Sequence, residues 1–153
     1  MTAVDLAALL GRLRPDLDAM DAPWCVIGGG ALMIAKAPLD EIADLDILTT
    51  AAGALALEAA WADRREAAYS PDAASPFRSR FSRYAYPEGA VEVMGDLTLN
   101  GAPVTVQEIA DAPFGGLRVP IPTLAEQARL LRLFGRPKDS EKLSLLGKLN
   151  SPS

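Results

Sequence analysis

A chain of 153 residues, half of them apolar, is long enough for one domain with a real core and too short for two large ones. A net charge of −5 and a pI near 4.7 leave no basic field for gripping an extended nucleic-acid duplex, and the ordinary 23% share of charged residues speaks against a disordered chain. There is no histidine and only one cysteine, which removes Ser-His-Asp and Cys-His catalysis, histidine-ligated zinc and any intrachain disulfide.

What chemistry there is therefore rests on carboxylates, Lys/Arg, hydroxyls and any metal they hold. Cys25 sits in the apolar run Trp24-Cys25-Val26-Ile27 and reads as a small core residue, in keeping with a reducing cytoplasm. The N-terminus has Asp5 early and no basic-then-apolar leader, and no apolar run approaches the roughly eighteen residues that span a bilayer. The expectation is a cytoplasmic protein away from the membrane.

Taken in order, Thr2 or Asp5 caps a first helix to about Arg14, with Val4, Leu6, Leu9, Leu10 and Leu13 on one face, and Pro15 ends or kinks it. Pro23 introduces a strand, Trp24 to Ile27. Ala31 to Ala37 reads as a short helix starting from the glycines, closed by Pro38, and a loop over residues 39–43 leads to a strand over about Asp44 to Leu48. Thr49 or Thr50 caps a helix from about Ala51 to Ala67. Ser70 to Pro76 reads as a loop and Phe77 to Tyr86 as a strand. Pro87-Glu88-Gly89 is a turn, and Ala90 to Leu99 is another strand. Asn100-Gly101 predicts a hairpin into Val104-Thr105-Val106, and residues around Phe114 to Val119 a last short strand. Helices follow over Leu124 to Phe134 and Ser140 to Leu149, broken at Gly135, before the tail Ser151-Pro152-Ser153. This order predicts an α+β (α/β) fold: a mixed sheet flanked by helices, with C-terminal closing helices.

The stretch that organises the chain is Val26 to Ala31 followed by Asp44-Leu45-Asp46-Ile47-Leu48. Gly28, Gly29 and Gly30 after a buried strand let the backbone pass close to a bulky ligand, and amides at a helix start suit a phosphate; a tight strand-to-helix turn is the plain alternative. Gly28-x-Gly30 also begins a dinucleotide fingerprint, but Met33 stands at its third glycine position and the later strands do not alternate with helices. Asp44 and Asp46 leave one face of one strand, with Cα atoms about 6.5–7 Å apart, near enough to share a divalent cation. A sheet face open to water is the alternative. Glu92, between Val91 and Val93, is a third carboxylate in a strand, with Asp96 a substitute on the same side. Arg80, Arg83, Arg136 and Lys138 are the candidate cations for phosphate or acceptor contacts, and Lys36 is a weaker one.

Gly29-Gly30, thirteen intervening residues, Asp44-Leu45-Asp46-Ile47 and a later apolar-Glu-apolar triplet resemble the nucleotidyltransferase fold of the polymerase-beta type. The pattern is most similar to the small prokaryotic members, which include antibiotic nucleotidyltransferases and abortive-infection type toxins of toxin–antitoxin pairs. Gly135-Arg136-Pro137-Lys138-Asp139, ahead of Leu143 and Leu145-Leu146, resembles the arginine-x-lysine-aspartate segment before a closing helix in those proteins. The resemblance covers about residues 22 to 149. It implies one nucleotidyltransferase-like domain over 1–153, with its core at about 22–119 and its closing helices at about 123–149. It also implies two Mg²⁺ held by Asp44, Asp46 and Glu92, which are then the catalytic residues as well. Gly28, Gly29, Gly30, Arg136 and Lys138 would hold a nucleoside triphosphate such as ATP. The implied reaction moves a nucleoside monophosphate to a hydroxyl of a small molecule, a protein or an RNA end. The competing expectation is an inactive module of the same fold that senses nucleotide or joins a partner protein or a second copy of itself.

Overall fold

The computed structural model describes residues 1–67 and 71–150, the last without its side chain. Helix α1 (Ala3–Ala19) opens with a capping box: the Thr2 side chain accepts from Asp5 N, and the Asp5 carboxylate accepts from Thr2 N. It continues through Pro15 instead of ending there. Leu13 and Leu17 are buried one turn apart, and Asp16 accepts from Trp61 Nε1 at 2.8 Å, so packing on both sides of the proline outweighs one lost backbone bond.

Strand β1 (Trp24–Ile27) leads directly into helix α2 (Gly28–Ile34), which includes the glycines instead of following them. Strand β2 (Asp44–Thr49) comes next, then α3 (Ala51–Ala60), capped by Thr50. The helix expected to reach Ala67 stops at Ala60 because Trp61 turns into the core. There it meets Tyr84 edge-to-face at 5.2 Å, and a 3₁₀ turn, Ala62–Arg64, carries the chain away. Strands β3 (Phe77–Tyr86) and β4 (Gly89–Leu99) form a long hairpin. The expected loop before β3 is irregular over 71–76; its first residue, Ser70, and the tail 151–153 lie outside the described residues.

Asn100 and Gly101 make the expected left-handed turn (φ 51° and 83°), but the returning strand β5 is only Ala102–Pro103. Pro103 has no N–H to continue the ladder, and Glu126 captures the amides of Gln107 and Glu108, so Val104-Thr105-Val106 is not a strand. The short strand expected at Phe114 to Val119 is the middle of a hairpin, β6 (Ile109–Phe114) and β7 (Leu117–Pro122), folded at Gly115-Gly116 (φ 58° and 78°). Helix α4 (Leu124–Phe134) ends at left-handed Gly135, and α5 (Pro137–Asn150) starts a turn earlier than Ser140. Proline at a first helical position loses nothing by lacking an N–H.

The main sheet has the order β1-β2-β4-β3, with β5 paired to the end of β4. β1/β2 and β4/β3 are antiparallel, and β2/β4 are parallel, joined by the crossover through α3 and β3. This is an α+β fold with a mixed sheet. Alternation sends Val26, Leu45, Ile47, Tyr84, Val91 and Val93 into a core closed by α1, α3 and the β6–β7 hairpin. The opposite face carries Cys25, Ile27 and Leu48, and there α4 covers the sheet through Leu130 and Phe134. Burial pushes the Cys25 thiol up to about 12, so it is an inert core group. A third cluster, Leu32, Ala37, Leu131 and Leu146, packs α4 and α5 against α2. No described helix is long and apolar enough to cross a membrane.

Candidate functional site

The sheet face under α4 is only partly filled. Where β2 and β4 leave it uncovered, a cleft of about 790 Å³ opens between the sheet, the 71–79 segment and the start of α5. Asp44, Asp46 and Glu92 all face it. Asp46 and Glu92 are register partners across the parallel β2/β4 pair, and Asp44 is two residues back on β2. Ligand oxygens of all three lie within 4.8 Å of one another. The strand adjacency that the sequence alone could not supply is therefore present.

Burial and close carboxylate neighbours raise the proton affinity of Asp46 and Glu92. Burial, together with the charge of Asp44, pushes the Asp46 carboxyl up to about 7, against the pull of Lys142, Lys138 and Arg136. Glu92 is raised by burial, by its hydrogen bond with Asp44 and by the charges of Asp46 and Asp44, with Arg83 opposing. Such a set is poised to take up positive charge. Hard oxygen donors of this number and spacing suit a divalent cation such as Mg²⁺.

The glycines position this wall. Gly28 has φ 66°, and a Cβ there would stand 3.0 Å from Asp46 Oδ2 and 4.0 Å from Lys142 Nζ, so its bareness brings α2, β2 and α5 together beside the carboxylates. Gly30 is buried, and a Cβ on it would come within 2.9 Å of Val26; Gly29 faces Ile42. Of the three, Gly28 lines the cleft.

The opposite wall is cationic. Lys138 and Lys142, one turn apart on α5, line the cleft with Arg136. Arg136 donates to buried Asp139 (Nε to Oδ2, 2.7 Å) and lies over Phe77 and Phe134 at 5.1 and 5.3 Å from the ring centroids. Burial alone would raise Asp139, but its bonds from Arg136 hold it below the ordinary carboxylate range. Burial lowers Lys142, and Asp46 and Asp139 oppose that shift. Lys142 escaped the sequence reading, although its place four residues after Lys138 puts both amines on one helix face.

The other expected cations are placed differently. Arg83 bridges Asp44 and Glu92. Arg80, on the other face of β3, pairs with Glu58 of α3, and exposed Lys36 lies by α1 and the β6–β7 turn. Asp96 is exposed at positive φ, within a register shift of the β3/β4 ladder that takes it out of the carboxylate cluster. Beyond the charges, the cleft is apolar, floored by Phe77, Met94, Leu97, Leu130 and Phe134, a character built from three elements and not visible in any one stretch.

No protein-family model and no curated protein matches this sequence. Solved structures do. A candidate nucleotidyltransferase from Thermotoga maritima is similar over 98% of this chain and 96% of its own, at 22% identity and a TM-score of 0.75. ANT(2'')-Ia, solved in complex with adenylyl-2''-tobramycin, matches over 95% of this chain and 89% of its own, at 13% identity and a TM-score of 0.64. The lincosamide antibiotic adenylyltransferase LnuA, lincomycin-bound, matches over 94% of both chains, at 13% identity and a TM-score of 0.60. The chain has the nucleotidyltransferase fold.

Proposed function

We propose that this nucleotidyltransferase-fold chain transfers a nucleoside monophosphate from a nucleoside triphosphate to a hydroxyl acceptor, with Mg²⁺ held by Asp44, Asp46 and Glu92. The observation that carries the reading is the convergence of those three carboxylates, from two adjacent parallel strands, on a cleft whose facing wall supplies Lys138 and Lys142. Bound there, the cation would neutralise phosphate charge and make the acceptor hydroxyl easier to deprotonate. The protein's own groups account for the rest. Lys138 and Lys142 bind the triphosphate tail, and Gly28 lines the cleft beside them where α2, β2 and α5 come together. Glu92, on the cleft face beside Asp44 and Asp46, is placed to take the acceptor's proton on its carboxylate. The apolar floor excludes water and orients the flat or apolar part of donor or acceptor. Catalysis of this kind is mostly positioning and charge stabilisation.

A small-molecule acceptor is favoured by the likeness to ANT(2'')-Ia and LnuA and by the acidic chain; a protein side chain or an RNA end is the alternative source of the hydroxyl. The second reading is a nucleotide-binding module without turnover. It draws on Arg83, which already pairs with Asp44 and Glu92.

Calorimetric titration of each nucleoside triphosphate, with and without Mg²⁺, tests the reading on wild type and an Asp44→Asn/Asp46→Asn double variant. Binding that requires Mg²⁺ and disappears in the variant, followed by Mg²⁺-dependent pyrophosphate release, is the expected result. Tight binding indifferent to metal and to the variant selects the second reading. No binding of any triphosphate removes both.

A further inference from the structure

Arg83 stands at the meeting point of two of the three carboxylates and a fourth acid outside the cluster. It is the antiparallel register partner of Glu92 across β3/β4, so its side chain and that of Glu92 share the cleft face. Its Nη1 lies 3.3 Å from Asp44 Oδ1 and 3.3 Å from Glu92 Oε2. Its Nε lies 3.1 Å from Glu66 Oε2, and the backbone binds the same segment, with Glu66 N donating to Arg83 O at 2.8 Å.

The geometry points to Arg83 as a resident counter-ion that competes with a divalent cation for Asp44 and Glu92, with Glu66 as the anchor that keeps the guanidinium beside the site when it is displaced. This rests on the reading of Asp44, Asp46 and Glu92 as a cation-binding set. Two of the three carboxylates that would ligate the ion already face Nη1, and a guanidinium and a divalent ion sharing them repel each other. Arg83 therefore weakens cation affinity while holding the metal-free carboxylates together. It is a positioning residue: it acts through Asp44 and Glu92, and its Nε contact with Glu66 keeps it beside the site.

The test is direct binding of Mn²⁺, followed by electron paramagnetic resonance of the free ion, on the full chain. Wild type, Arg83→Met, Arg83→Lys and the Asp44→Asn/Asp46→Asn variant are compared, with melting curves in chelator and in Mn²⁺. Arg83→Met should bind Mn²⁺ about tenfold more tightly than wild type, and Arg83→Lys by an intermediate factor, since a lysine keeps the charge and loses the fork. In chelator Arg83→Met should melt below wild type, with Mn²⁺ restoring more of its stability than it adds to wild type. Wild-type or weaker Mn²⁺ affinity in folded Arg83→Met overturns the inference while leaving the cation site standing. If Arg83→Met does not fold, unchanged affinity in Arg83→Lys has the same force. If neither wild type nor the Arg83 variants bind Mn²⁺, the cation reading itself fails and the inference falls with it.

Discussion

Asp46 and Lys142 are the residues on which most turns. A carboxyl whose folded pKa stands above its unfolded value holds more protons folded than unfolded between the two, so stability falls as pH rises through that window. For Asp46 the window runs from 3.8 to about 7, and Glu92 moves in the same direction. The divalent-free protein should therefore lose melting temperature from pH 5 to pH 7.5, and Asp46→Asn should flatten that profile and melt a few degrees higher at the upper end. Equal slopes for the two proteins would remove the account of a raised Asp46 carboxyl. Lys142, which faces the space beside Gly28 and Asp46, is expected to hold phosphate. Lys142→Met should weaken triphosphate binding about tenfold in a calorimetric titration, with no loss of Mn²⁺ affinity.

At the scale of elements, the strand-to-helix turn and the closing helices hold the site by different means. Gly28→Ala must place a side chain at φ 66° and against Asp46, which should cost about 1–2 kcal/mol in a denaturant titration and disturb the carboxylates as well. Gly30→Ala has an ordinary φ but meets Val26 in the core. A stability loss without a change in the cation titration would separate its packing role from that of Gly28. Buried Glu126 caps no charge in the cleft; it accepts from Gln107 N, Glu108 N and the Arg129 guanidinium, so it pins the 104–108 segment to α4. Glu126→Ala leaves those amides without a partner and should destabilise by about 2–3 kcal/mol, read by the same titration. Amphipathic spacing made α4 readable to its last residue. The proline inside α1 and the early end of α3 were not readable, because Leu17 and Trp61 are held by partners far away in sequence.

At the scale of the whole molecule the cleft exists because α4 and α5 are packed against α2 by Leu32, Ala37, Leu131 and Leu146 while the sheet face beside them is left uncovered. Leu146→Ala, far from the carboxylates in sequence, should cost about 2–4 kcal/mol and weaken triphosphate binding by displacing Lys138 and Lys142, with Mn²⁺ affinity retained. Loss of both together would mean that the two walls are not independent. By itself the sequence determined the strands that carry Asp44, Asp46 and Glu92, the absence of histidine chemistry, the tight Gly28–Gly30 segment and the mixed α+β order, since period-two alternation and glycine runs are local signals. Only the tertiary structure decided that β4 lies parallel beside β2 with Glu92 opposite Asp46, that Lys142 rather than Arg80 or Lys36 joins the cleft, and that Arg83 sits on the carboxylates. Each of those depends on which strands pair and which helix closes over them, and that is set by burial summed across the whole core, beyond the reach of any local pattern.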